Sequence, residues 1–171
     1  MVQSLELEPW SEFFFTVAGA SAALIGLIVV GLSIHADFIA QSVTHRSHAR
    51  ATLVILTSTM AIGVVALAPQ PAHWAGWEFG LISIAFASIN TYNNMRALRG
   101  VNWRLPAAAW RRMAIGYGIA ACGLIGSISM IFDEGRGGGV YWIGLETVGA
   151  LVWAIAGAWR FLIGVADEQR R

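Results

Sequence analysis

The chain has 171 residues, of which 57% are hydrophobic and only 12% charged, with a formal net charge of +1. That composition points to one membrane domain, because the longest connection between apolar runs, Arg96 to Arg112, is too short to hold a soluble module. All eleven basic side chains are arginines; without lysine there is no retinal Schiff base and no Lys-dependent catalysis, and so few scattered charges make no nucleic-acid site.

Five apolar runs follow one another at residues 11–34, 51–68, 77–95, 113–132 and 140–165. Each is near the ~20 residues a helix needs to cross ~30 Å of hydrocarbon. The expected fold is all-α, a polytopic membrane protein with a single transmembrane helical domain over residues 1–171 and five transmembrane helices. The arginines set the orientation. Arg46 and Arg50 follow the first run, Arg96, Arg99, Arg104, Arg111 and Arg112 separate the third from the fourth, and Arg160, Arg170 and Arg171 come last. Only Arg136 falls on the opposite side. Short loops orient by their Lys/Arg content, so the N-terminus is expected outside and the C-terminus cytosolic. Met1 to Glu8 is acidic, the reverse of a signal n-region, and direct insertion into a bacterial plasma (inner) membrane is expected.

In chain order, Trp10, Phe13, Phe14 and Phe15 open the first helix at the level where aromatic rings prefer to sit. Gly19 with Ala23, and Ala22 with Gly26, are small-xxx-small pairs that admit another backbone. They read first as close packing within one subunit and second as packing between subunits. The loop His35 to His48 holds His35, Asp37, His45 and His48, which are weak candidates for a metal site because the spacing is irregular and no second pair matches it. Pro69 and Pro71 stop the second helix, and Pro69 to Trp77 is expected as an external hairpin, with Trp74 and Trp77 marking its interface and His73 beside Trp74.

The third run carries Ser83, Ala87, Asn90 and Asn94 at spacings of four, three and four, with Asn93 widening the stripe. Amides facing lipid lose hydrogen bonds, so this face points into protein or water; the first reading is interhelical bonding and the second a polar path. Thr52, Thr59 and Gly63, and Gly116, Ala120, Gly123 and Ser127, form small or hydroxylated stripes that are expected to pack around it. Trp103 and Trp110 suggest a short stretch along the headgroups between the third and fourth spans. Asp133 to Gly139 reads as a flexible external turn. Cys122, the single cysteine, permits neither an intrachain disulfide nor a cysteine cage.

Three carboxylates stand near the outer ends of the helices that run inward: Glu12, Glu78 and Glu146. Helix N-termini stabilise acids by ~0.3–1 kcal/mol, which accounts for the first two. Glu146 lies more than a turn beyond Trp142, where a charge costs ~2–3 kcal/mol unless it is paired, protonated or wet. The functional reading is a ring of carboxylates at an outer vestibule.

The run from Phe13 to Leu27, ending Gly31-Leu32-Ser33, resembles the first span of small uncharacterised bacterial integral membrane proteins. The resemblance covers that helix and implies bacterial origin and membrane location, with no activity, cofactor or site attached. The residues contain no HExxH, Gly-x-Ser-x-Gly or P-loop pattern, so no enzyme and no cofactor is expected. The expected partners are the lipid bilayer, further copies of the chain and another membrane protein. Two functions compete: a homo-oligomeric ion channel or ion-conducting protein, built on Glu146 and the asparagine stripe, and a non-catalytic structural or regulatory membrane subunit.

Overall fold

The computed structural model describes residues 7–34, 36, 43–98, 107–133 and 138–169, and all regular structure among them is helical. A single 3-10 turn, Glu8–Trp10, leads into α1 (Ser11–Ile34), followed by α2 (Val43–Leu67), α3 (Ala72–Leu98), α4 (Ala107–Asp133) and α5 (Gly139–Gln169). With 24 to 31 residues each, they are roughly 36–47 Å long. Four segments are long and apolar enough to cross a membrane: Glu8–Ile34, Ala49–Leu67, Met113–Asp133 and Gly139–Trp159. Leu27, Val30, Phe132, Val152 and Trp159 on these helices are each more than half exposed. A surface that apolar is one that only lipid solvates well. The chain is a helical, multi-pass membrane protein.

The apolar runs locate the helices, but the helices outrun them. α2 starts at Val43, so His45 to His48 stand on its first turns and not in an irregular loop. α3 starts at Ala72, which shrinks the expected hairpin Pro69 to Trp77 to the four residues 68–71. α4 starts at Ala107, placing Trp110, Arg111 and Arg112 in a helix and not on a headgroup-parallel stretch. α5 continues to Gln169. The cause is common to all four: backbone hydrogen bonding extends a helix into polar sequence, whereas hydropathy marks only the part that suits lipid. α3 departs from expectation in another way. Residues 77–95 are helical, but α3 is not among the segments apolar enough to span, because Glu78, Ser83, Asn90, Asn93 and Asn94 dilute it.

Close approaches between helices fall at glycines. α1 crosses α2 where a Cβ on Gly63 would lie 2.9 Å from Ala18 Cβ and 3.0 Å from Phe14 O. α4 and α5 meet at Gly126 and Gly139, each of whose Cβ positions lies 2.8 Å from the other's carbonyl oxygen. α3 and α4 meet at Gly76, against Met130, Ile131 and the Ser127 carbonyl. In a bilayer, lipid is as apolar as any helix face, and such backbone approach is what selects partners. α2 contacts α1, α3 and α5, and α4 lies between α3 and α5. The apolar core gathers at the end where α1, α3 and α5 begin, around Phe14, Ile62, Phe79, Met130 and Ile143, with Trp10 and Phe13 packed against it. The α2–α3 turn is tied by Gln70, whose side-chain amide donates to Val65 O at 3.3 Å and Glu78 Oε2 at 2.7 Å. Gly138 adopts φ 77° just before α5, a left-handed conformation that side chains resist.

The small-residue pairs of α1 do not pack within the chain. Gly19, Ala22, Ala23 and Gly26 are exposed, and a Cβ on Gly19 or Gly26 would meet nothing within 4 Å. The face of α1 that packs is instead Phe14, Val17 and Ser21. The notch at Gly63 is filled by Ala18 and the Phe14 carbonyl, which lie on that packed side and not on the small-residue stripe.

Candidate functional site

Glu146 sits seven residues into α5, about 10 Å along its axis, and is 3% exposed. Its carboxylate does not face an outer vestibule. It reaches across α4 to α3, where Ser83 Oγ donates a hydrogen bond to Oε1 at 2.8 Å. That reach is possible because residue 123 is a glycine: the carboxylate fills the space a Cβ would take there. Ser83 is fully buried and Thr147, the next residue on α5, is 0% exposed with its hydroxyl bonded to Gly144 O. Ser127 closes the same pocket by donating to the carbonyl of Gly123 at 2.7 Å. The second carboxylate oxygen, Oε2, is buried with no hydrogen-bond partner. An unsatisfied polar atom in such surroundings costs free energy, and a native structure keeps one for a reason.

About 10 Å further along α3, Asn90 lies against α4 at Gly116, where a Cβ would come within 2.9 Å of Nδ2. That nitrogen is also buried without a partner. One residue beyond, Thr91 Oγ1 and Tyr117 Oη are 3.0 Å apart. Between the two levels Ala120 of α4 is 3% exposed and Ala87 of α3 half-buried. The α3–α4 seam thus carries a carboxylate with an open acceptor, two alanines and an amide with an open donor, and beside them an exposed hydroxyl pair.

The structure brings together only part of the set expected from sequence. Ser83 and Glu146 share one hydrogen bond, with Gly123 and Gly116 forming the notches on α4. Glu12 and Glu78 are exposed, so the three glutamates do not form one ring within a chain. Polar helix termini carry acids readily, whereas Glu146 is drawn into the bundle by the groove at Gly123. Asn93 is half-buried, and the Asn94 side chain is outside the described residues. Thr59 bonds Ile55 O of its own helix, and Gly63 faces α1, so the α2 stripe does not pack around the asparagines. His35, Asp37 and Trp103 lie outside the described residues, as do the side chains of His45 and His48. Among the described residues no three His, Cys, Asp or Glu side chains group to hold a metal ion.

Sequence reasoning singled out Glu146, Ser83 and Gly123 but did not pair them. Their separation, 63 residues between the hydrogen-bonded partners, leaves no local pattern. The one available signal was the coincidence of a deep glutamate with a Gly116, Ala120, Gly123, Ser127 stripe on the preceding helix. No family model matches the chain, and no curated protein or solved structure matches it either.

Proposed function

We propose that the chain is an ion-conducting membrane protein in which Glu146 is the ion-binding group and the α3–α4 seam is the path. The carrying observation is the buried, partnerless Oε2 of Glu146. An intramembrane carboxylate is expensive and commonly marks a proton relay or cation route. In this reading α3 is the fifth crossing: its 27 residues span ~40 Å, and its polar face is covered by α4. The arginine distribution supports an N-out, C-in orientation in a bacterial plasma membrane. The open Gly19, Ala23 and Gly26 face of α1 supports a homo-oligomer, since small residues are where membrane helices of separate copies approach.

The test is flux of H⁺, Na⁺ and K⁺ into liposomes holding the purified protein, with oligomeric mass measured in detergent beforehand. Glu146→Gln keeps the volume and the Ser83 hydrogen bond while removing the charge; flux should fall at least about tenfold with helicity unchanged, as expected for loss of ~1.4 kcal/mol or more of ion stabilisation. Wild-type protein passing none of the three ions sinks this reading. In that case the second reading stands, a structural or regulatory subunit that docks another membrane protein on the exposed small face of α1. Orientation is tested separately by cysteines placed at Ser4 and Gly100 in a Cys122→Ser background: an impermeant thiol reagent on intact cells should label the first and not the second.

A further inference from the structure

α1 and α5 run side by side in the same direction, but they meet only where they begin. There Trp10 packs edge-on to Tyr141 at 4.8 Å between ring centroids, and Trp10 and Phe13 cover Gly144. Toward their other ends the two helices part and leave a groove of about 170 Å³ with α2 as its floor. Leu24, Leu27, Ile28 and Leu32 form one wall, and Ala154, Ile155 and Ala158 the other. Gly31, Ala49, Ala154 and Ala158 keep the groove open by having little or no side chain. From Leu24 to Leu32 it follows eight residues of α1, or ~12 Å.

The far end of the groove carries charge. Ala49 of α2 lies in its lining, and Arg46, three residues earlier, shares that helical face. Arg50 is one residue on, and both arginines are exposed. Trp159, 67% exposed and part of the lining, stands at the same end of α5, as interfacial tryptophans do. A hydrocarbon slot about 12 Å long, with two exposed arginines on the turn of α2 that flanks its end, matches one kind of molecule: a chain of methylenes joined to an anion. Guanidinium binds phosphate in a bidentate fork.

We infer that this groove is a binding site for an anionic phospholipid, with an acyl chain between α1 and α5 and the headgroup phosphate held by Arg46 and Arg50. The site is independent of the Glu146 pocket, since no residue of one lines the other. A lipid lodged there fills the gap between α1 and α5 and ties both to the basic start of α2.

The test is native mass spectrometry of the purified full chain after incubation with phosphatidylglycerol or phosphatidylcholine of identical acyl chains. Phosphatidylglycerol should be retained with about tenfold or greater preference, as two arginines near a headgroup imply. Arg46→Gln with Arg50→Gln should bring the two lipids level. Arg111→Gln, an exposed arginine on α4 away from the groove, should leave the preference as it is. Ala158→Trp should fill the slot and release both lipids. If Ala158→Trp does not fold, the arginine pair, which is exposed, still decides. Equal retention of the two lipids by the wild type overturns the inference. So does a preference that survives the arginine substitutions, or a lipid-free dimer whose dissociation is what Ala158→Trp causes.

Discussion

Two regions of this bundle are held by different means. Where α1, α3 and α5 begin, Phe14, Phe79, Met130 and Ile143 are fully buried against one another, and aromatic rings from Trp10, Phe13 and Tyr141 close the surface. Along the α3–α4 seam the buried groups are Ser83, Glu146 and the Asn90 amide, two of which leave a polar atom unsatisfied. Apolar packing of the first kind gives tightness but little specificity in a bilayer, because lipid offers the same contacts. Polar contact of the second kind cannot be replaced by lipid, so it fixes which faces meet while storing an unpaid hydrogen bond at the centre. The first region is the densely packed part of the fold, and the second is the part on which the proposed ion-binding role of Glu146 rests.

The largest expected effect comes from the glycine that admits the carboxylate. Gly123→Leu places a side chain where the Glu146 carboxylate lies and should destabilise the folded protein by about 3 kcal/mol, the upper range for overpacking a core. Gly118→Leu, five residues away with nothing within 4 Å of its Cβ, should lose nothing. Unfolding by a denaturing detergent, followed by circular dichroism, measures both. Pairing Gly123→Leu with Glu146→Ala should recover part of the loss, because the clash is with that carboxylate. Equal behaviour of the two glycines would mean that the carboxylate is not seated against α4.

A smaller effect separates the hydrogen bond from the packing around it. Ser83→Ala and Glu146→Ala, singly and together, form a double-mutant cycle across the 2.8 Å bond. Their coupling should be about 1 kcal/mol, above the ~0.6 kcal/mol average for interhelical side-chain bonds in membranes because both residues are buried. The same cycle between Gln70→Ala and Glu78→Ala, exposed at the α2–α3 turn, should couple by less than half of that. Coupling as strong at the turn as in the seam would remove the distinction between the two regions.

How much of this was readable in sequence follows from range. All five helices stood out as apolar runs, because hydropathy is a local property, but only four of them hold a stretch apolar enough to cross a membrane, and the run at 77–95 is a helix diluted by its polar face. Their ends at Val43, Ala107 and Gln169 did not, because helical hydrogen bonding continues past the lipid-like part. Glu146 stood out because one carboxylate deep in an apolar run is costly wherever it points. Its partners depended on which helix lies beside which, and the notch at Gly123 has meaning only once α4 is known to separate α3 from α5. Gly19 and Gly26 teach the converse. Their spacing equals that of a packing face, yet α1 turns another side inward, with Phe14, Val17 and Ser21 buried and Ala18 seated at Gly63.

That outward glycine face yields the smallest expected change in the folded chain and the sharpest difference in its association. Gly26→Leu adds a side chain with nothing of its own chain within 4 Å, and leucine has the higher helix propensity, so unfolding of the single chain should be unaffected or shifted slightly upward. If copies of the chain meet through α1, the same leucine keeps two backbones from approaching, and the oligomer should dissociate at a protein-to-detergent ratio where the wild type does not. Phe15→Ala, also exposed on α1 but at its aromatic end, serves as the control and should leave the mass alone. Mass measured in detergent for the three proteins decides it. A Gly26→Leu protein with wild-type mass at every dilution removes α1 from the interface, and the polar seam must then act within one chain without help from a neighbour.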